Sequence, residues 1–245
     1  MEKKDRLVLK TIGVWFVLLL FMFVQGAIVV IGQIDGVPSA LIRGAVIWAS
    51  AIVAILVYYI NHRELRSLGF TKAEKGAAGK MLYFVPLLII CFSHFVAGIE
   101  LGEGLSLVLA YLFFTLAIGV AEETYFRGLI CNMWLKKGIN RAVMVSAILF
   151  GVSHMMNVAG GAGLFETMLQ ICFAFFYGTV IAYVFVIGKS LIPCILLHSL
   201  HDFCSFMSGE LSQTANTFLG AVQVVILIAY GIYLYKTQIA GTVKT

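Results

Sequence analysis

Runs of about twenty apolar residues recur along this chain, and they decide which solvent it folds in. They fall near residues 11–32, 44–61, 81–99, 105–135, 141–157, 164–187, 190–208 and 215–235. A hydrocarbon core about 30 Å thick takes roughly 20 helical residues to cross. In lipid a segment must satisfy its own backbone hydrogen bonds, so each run reads as a helix. The expectation is an all-α, polytopic membrane helix bundle of about eight transmembrane helices, or seven if 141–157 is re-entrant. Charged residues make up 12% of the chain and apolar ones 61%, against about 25% charged in ordinary soluble domains. A soluble core cannot hide that much apolar surface.

The basic residues supply a topology. Lys3, Lys4, Arg6 and Lys10 precede or open the first run; Arg63, Arg66, Lys72, Lys75 and Lys80 lie between the second and third; Lys136, Lys137 and Arg141 flank the fourth and fifth. Lys189 separates the sixth from the seventh, and Lys236 and Lys244 follow the last. With helices alternating in direction, all of these fall on one side, while the other side receives Arg43 alone. An even number of spans with both termini cytoplasmic has this asymmetry. The net charge of +5 is spread between apolar runs rather than gathered in a patch, so no nucleic-acid partner is indicated. The basic N-terminal start resembles a signal peptide, but its apolar run is too long and reads as a retained first helix. Residues 62–80 form the longest polar connection and are expected to lie as a basic surface segment. Cys91, Cys131, Cys172, Cys194 and Cys204 form no CxxC or Cys/His cluster and read as packing residues. No linker or repeat divides the chain, so residues 1–245 are expected to be a single membrane domain.

Against this apolar background a few ionisable residues lie inside the spans: Glu122, Glu123, Arg127, His154, His198, His201 and Asp202, with His94 apart from them. Each charge at a helix centre costs about 2.5–3.5 kcal/mol on insertion scales. Three in the fourth run therefore demand partners. Depth points to them: Glu122, His154 and Asp202 stand thirteen or fourteen residues from Lys136, Arg141 and Lys189 respectively, which is roughly 20 Å along a helix. Three helices thus carry polar groups to matching levels, as for one buried chamber. Glu123 and Arg127 share a face at i, i+4 and read as a structural ion pair. His198 and Asp202 have the same spacing, as do Phe150 and His154. Gly119, Ala121, Gly128, Gly151 and Ser153 would let the helices approach closely. His201 reads as a polar packing residue, His94 as a core histidine, His62 as a loop residue, and Glu166 and Glu210 as solvated helix ends.

Glutamate, two histidines and an aspartate in a lipid-shielded cavity suit the activation of water. Glu123, beside Arg127, should stay ionised. Glu122, beside a like charge and without a cation of its own, is the carboxylate suited to take a proton. His198 can donate to a developing oxyanion, and Asp202 can orient His198. Glu122, His154 and His198 can equally form a His₂Glu zinc site with an open position. The residues themselves leave both chemistries open.

Three motifs carry a family resemblance. The stretches EETYFR (122–127), FGVSH (150–154) and HSLHD (198–202) resemble the EExxxR, FxxxH and HxxxN/D motifs of the CPBP intramembrane proteases, which include CAAX prenyl endopeptidases and bacteriocin-processing or Abi-type proteins. The resemblance covers about 105–205 and implies a motif-bearing catalytic core there. It implies that Glu122 and His154 activate the attacking water, that His198 and Asp202 form the oxyanion site, and that Glu123, Arg127 and Phe150 support them. It leaves zinc dependence against a glutamate-dependent mechanism open. Asp202 stands where the eukaryotic prenyl endopeptidases carry Asn, so a non-prenylated peptide or membrane-protein substrate is expected. The competing classes are a non-proteolytic bacteriocin-immunity protein and an ion-coupled transporter. The latter would show inverted repeats, and none is evident.

Overall fold

A computed structural model describes residues 3–102 and 104–241, so Lys244 lies outside the described residues. The side-chain distribution is inverted relative to a soluble protein. Phe16, Ile31, Leu105, Phe218 and Val225 each expose more than 60% of their surface, whereas Glu123 and Arg127 expose none. With lipid as the outer solvent, this is the low-energy arrangement.

Helix is the only extended secondary structure among the described residues, apart from one isolated bridge between Ile99 and Ser208. Six helices are long and apolar enough to cross a membrane: α1 Asp5–Gly32, α2 Gly36–His62, α4 Leu105–Leu135, α5 Ile139–Val158, α6 Leu164–Gly188 and α8 Gln213–Ile239. Two shorter apolar helical stretches, α3 Leu82–Ala97 and α7 Leu191–Phe206, fall where the third and seventh runs lie. The chain is therefore a multi-pass membrane protein. All eight apolar runs are helical, and the 20 residues of α5 remove the length argument for a re-entrant fifth segment.

Packing follows the small residues. α4 lies between α2 and α7, α5 packs on α6, and α6 on α8. Ile47 and Ala51 of α2 meet Phe114, Ala117 and Ala121 of α4 in a small apolar interface. A Cβ added at Gly119 would overlap Ser199 Oγ and come within 3.0 Å of the Ile195 carbonyl, so α4 and α7 touch backbone to backbone there. At Gly151 an added Cβ would lie 3.2 Å from the Ile171 carbonyl, which brings α5 equally close to α6. These contacts leave no room for lipid between the helices.

The 62–80 connection keeps its basic side chains exposed, as expected of a surface segment, and is anchored inward as well. Leu68 and Ala77 are fully enclosed. The backbone is pinned to the α6–α7 turn by Glu74 N–H to the Gly188 carbonyl (3.0 Å) and by Leu191 N–H to the Gly69 carbonyl (2.8 Å). Asn132 Nδ2 donates to the Ser67 carbonyl at 2.6 Å. Outside, Lys189 Nζ reaches Glu74 Oε1 at 2.7 Å and holds that carboxyl below its ordinary range. A basic composition thus conceals a buried apolar anchor under the ends of α4 and α7.

Candidate active site

Glu122 and Glu123 end the regular part of α4. From Thr124 to Cys131 the helix widens into a π-helix before a last α-turn, Asn132–Leu135. A wider turn alters the phase of the side chains that follow, and such stretches gather at functional sites. Thr124 to Gly128 are all buried, so the widening places Arg127 and both aromatic neighbours among other helices.

Arg127 is held from three directions. Its Nη1 donates to Glu123 Oε1 at 2.9 Å, and its Nη2 donates to the Gly178 carbonyl of α6 at 3.1 Å. The guanidinium carbon lies 4.6 Å from the centre of the Phe150 ring on α5. The expected ion pair is present, and the guanidinium additionally ties α4 to α5 and α6.

Glu123 proves to be more than a partner for Arg127. The same Oε1 accepts from His198 Nδ1 of α7 at 2.7 Å. The other ring nitrogen, His198 Nε2, faces Glu122 Oε2 at 3.9 Å and Asp202 Oδ2 at 3.6 Å. His198 therefore has carboxylates on both sides, one in hydrogen-bond contact and two just beyond it. Glu122 and His198 are each about 95% enclosed, so charge here acts in a medium far less screening than water.

His154 stands at the end of the main part of α5, where the helix gives way to a turn and then a single turn from Met156 to Ala159. Its ring packs edge-on to Phe150 at 5.5 Å between centres, and Phe150 packs edge-on to His198 at 5.6 Å. The i, i+4 aromatic contact is as expected. Phe150 thus touches both histidines, and no hydrogen bond joins His154 to Glu122 among the described residues. Ser153 beside it accepts from Trp15 Nε1 of α1 at 2.8 Å.

α6 brings aromatic rings to the site although it carries no charged group there. Phe173 stacks on His201 at 5.2 Å, and Tyr177 lies 5.1 Å from His201 and 5.8 Å from His198. A Cβ at Gly178 would come within 2.9 Å of Phe150 and 3.3 Å of Arg127. A Phe and a Tyr four apart, followed by Gly, read as packing in an apolar helix, and the signal is hardly separable from that. His94 and His201, read from the sequence as a satisfied core histidine and a polar packing residue, are partners of each other. Their Nε2 atoms are 3.2 Å apart, and His201 Nδ1 donates to Asp202 Oδ1 at 3.2 Å.

A zinc site needs three donors around one point. Among the described residues no three of His, Cys, Asp or Glu are gathered closely enough to hold a metal ion. In particular, Glu122, His154 and His198 do not form that set, and His198 Nδ1 is already committed to Glu123. The donors as arranged do not fit a zinc centre.

Residues 104–204 match the family described as Type II CAAX prenyl endopeptidase Rce1-like. The matched stretch runs from α4 through α7 and carries every residue of the three motifs. No curated protein matches the chain.

Proposed function

We propose that this protein, a member of the CPBP family of membrane CAAX-type proteases, is an intramembrane endopeptidase working from the carboxylate–imidazole cluster of α4 and α7. The observation that carries the reading is the His198 ring, with Glu123 on one nitrogen and the Glu122–Asp202 gap on the other.

Glu122 acts as the base. It takes a proton from water as the water oxygen bonds to the scissile carbonyl carbon and the C=O π electrons move onto oxygen. His198, protonated on both nitrogens, turns its Nε2–H toward that oxyanion while Nδ1–H stays on Glu123. The tetrahedral intermediate collapses with rupture of the C–N bond, and the leaving nitrogen receives the proton that Glu122 holds. Asp202 orients the imidazole. His154, packed on Phe150, assists in placing water. Glu123, fixed by Arg127, holds the ring at its angle. Each step uses this chain's own groups and none is routed through a metal. The substrate is a peptide or membrane-protein segment entering from the bilayer. The eight helical runs cross the membrane with both termini on the cytoplasmic side, as the basic residues require.

The test uses purified protein in nanodiscs and internally quenched peptides, with and without a farnesylated cysteine. Glu122→Gln, His154→Ala and His198→Ala should each abolish cleavage while eluting as folded protein. Folded Glu122→Gln that cleaves at the wild-type rate would overturn the assignment, and would favour a binding role of the immunity type.

A further inference from the structure

His94 lies outside the three motifs, and its contact with His201 runs directly into the third. A carboxylate has no proton to give, so at the 3.2 Å contact Asp202 Oδ1 accepts and His201 Nδ1–H donates. The other nitrogen of a neutral His201 is then an acceptor, and the proton in its 3.2 Å contact with His94 comes from His94 Nε2–H. With neutral rings both hydrogen bonds then run inward, from His94 to His201 and from His201 to Asp202. With Oδ1 of Asp202 occupied, its Oδ2 is left toward His198 Nε2, 3.6 Å away. A file of ionisable side chains therefore connects α3 to the centre of the site: His94, His201, Asp202, His198, Glu123, Arg127.

The outer end of this file is braced and reached by a cavity. Gln223 Nε2 of α8 donates to Ser93 Oγ at 2.9 Å, and Cys91 Sγ lies 3.8 Å from the Leu197 carbonyl of α7. Beyond them, Glu100 N–H bonds the Met207 carbonyl at 2.9 Å, closing the end of α3 against the end of α7. His201 packs against both Phe173 and Tyr177, whose rings also stack on each other at 5.7 Å. A cavity of about 370 Å³ reaches His94 and is lined on its far side by Ser205, Ser208, Glu210 and Asn216. That lining is polar in a chain otherwise apolar, and its volume exceeds that of an imidazole several times over.

We infer that His94 is a positioning residue for the hydrolytic site: its Nε2–H holds the His201 ring against Asp202, and so orients Asp202 and, through it, His198. The inference rests on the proposed hydrolysis for its kinetic arm and on geometry alone for its spectroscopic arm. A Gln at 94 places an N–H donor near the position of the imidazole Nε2, whereas Leu fills similar space without a donor. His94→Gln should retain cleavage of the quenched peptides within a few-fold. His94→Leu should lower kcat by about 10–100-fold, the usual range for residues that orient a catalytic group, and leave KM unchanged. His94→Ala should recover activity with added imidazole, which the cavity admits, and not with cyclopentane, which matches its size but cannot donate.

Independently of any substrate, the ¹⁵N shifts of the His201 and His198 rings should move in His94→Leu and stay near wild type in His94→Gln. Equal loss in Gln and Leu variants, loss expressed in KM, or rescue by cyclopentane would overturn the inference and leave His94 a packing residue. Unchanged His201 and His198 shifts in His94→Leu would do the same. Absence of cleavage in the wild type, with the His94→Leu shifts moving as stated, would sink the hydrolytic reading and leave the positioning chain standing.

Discussion

Replacing Arg127 tests the buried framework most severely. The guanidinium is fully enclosed and joins Glu123 on its own helix to the Gly178 carbonyl on α6. Arg127→Met keeps most of the side-chain volume and removes the charge and both donors. Breaking a buried pair by removing one partner costs about 3–5 kcal/mol. An orphaned carbonyl adds about 1–3 kcal/mol. Glu123 is not wholly stranded, because His198 Nδ1 still donates to it at 2.7 Å, so the lower end of the range applies. About 3 kcal/mol corresponds to a fall in melting temperature of roughly 6–12 °C for a chain of this size. Arg127→Lys should recover only part of this, since one ammonium cannot span two acceptors on different helices. Adding Glu123→Gln to Arg127→Met should regain stability, because the uncompensated charge then disappears. The assay is thermal unfolding of detergent-solubilised protein followed by size-exclusion chromatography. A melting temperature for Arg127→Met within about 2 °C of wild type would refute the reasoning.

Three further outcomes follow from separate contacts. Gly178→Ala pushes a methyl against Phe150 and Arg127 and should cost about 1–3 kcal/mol, the usual overpacking cost, with activity falling alongside stability; thermal unfolding and peptide cleavage measured together check this. Lys189→Ala removes an exposed ion pair and should change the melting temperature little at neutral pH. Because the Glu74 carboxyl is held below its ordinary range, what stabilisation the pair gives is present above the ordinary carboxylate pKa and lost as pH falls, so wild type and Lys189→Ala should converge under acid. Since the donors do not gather into a three-ligand set, treatment with phenanthroline should leave cleavage of the quenched peptides unchanged; loss of activity restored by added zinc would contradict this.

The fold was legible because lipid imposes a simple rule. Apolar length marked eight helical runs with ends within a few residues of those found, except that α1 and α2 begin earlier: Arg6 and Lys10 extend α1 as readily as leucine would, and α2 opens on Pro38 in its first turn, where proline is tolerated. The Glu123–Arg127 pair and the Phe150–His154 contact were legible for a local reason, since i, i+4 spacing fixes them whatever else packs nearby. What was not legible is long-range. Nothing near His94 marks it as the neighbour of a residue 107 positions on. Regular spacing also turns Glu122 and Glu123 about 100° apart, yet their side chains reach the two nitrogens of one ring, His198, because α7 lies against that part of α4. The second function of Glu123, as acceptor for His198, follows from α7 crossing α4 at Gly119, which no local pattern encodes.

The central claim is that α4 and α7 deliver their ionisable groups to one enclosed point, with His198 against Glu123. The most direct test is rotational-echo NMR on protein reconstituted in lipid, carrying ¹⁵N-labelled histidine rings and ¹³C-labelled glutamate carboxyls. The 2.7 Å contact predicts strong dephasing of the His198 Nδ1 signal in the wild type, largely lost in Glu123→Gln. A His198 signal with no carboxyl dephasing in the folded wild type would contradict the account.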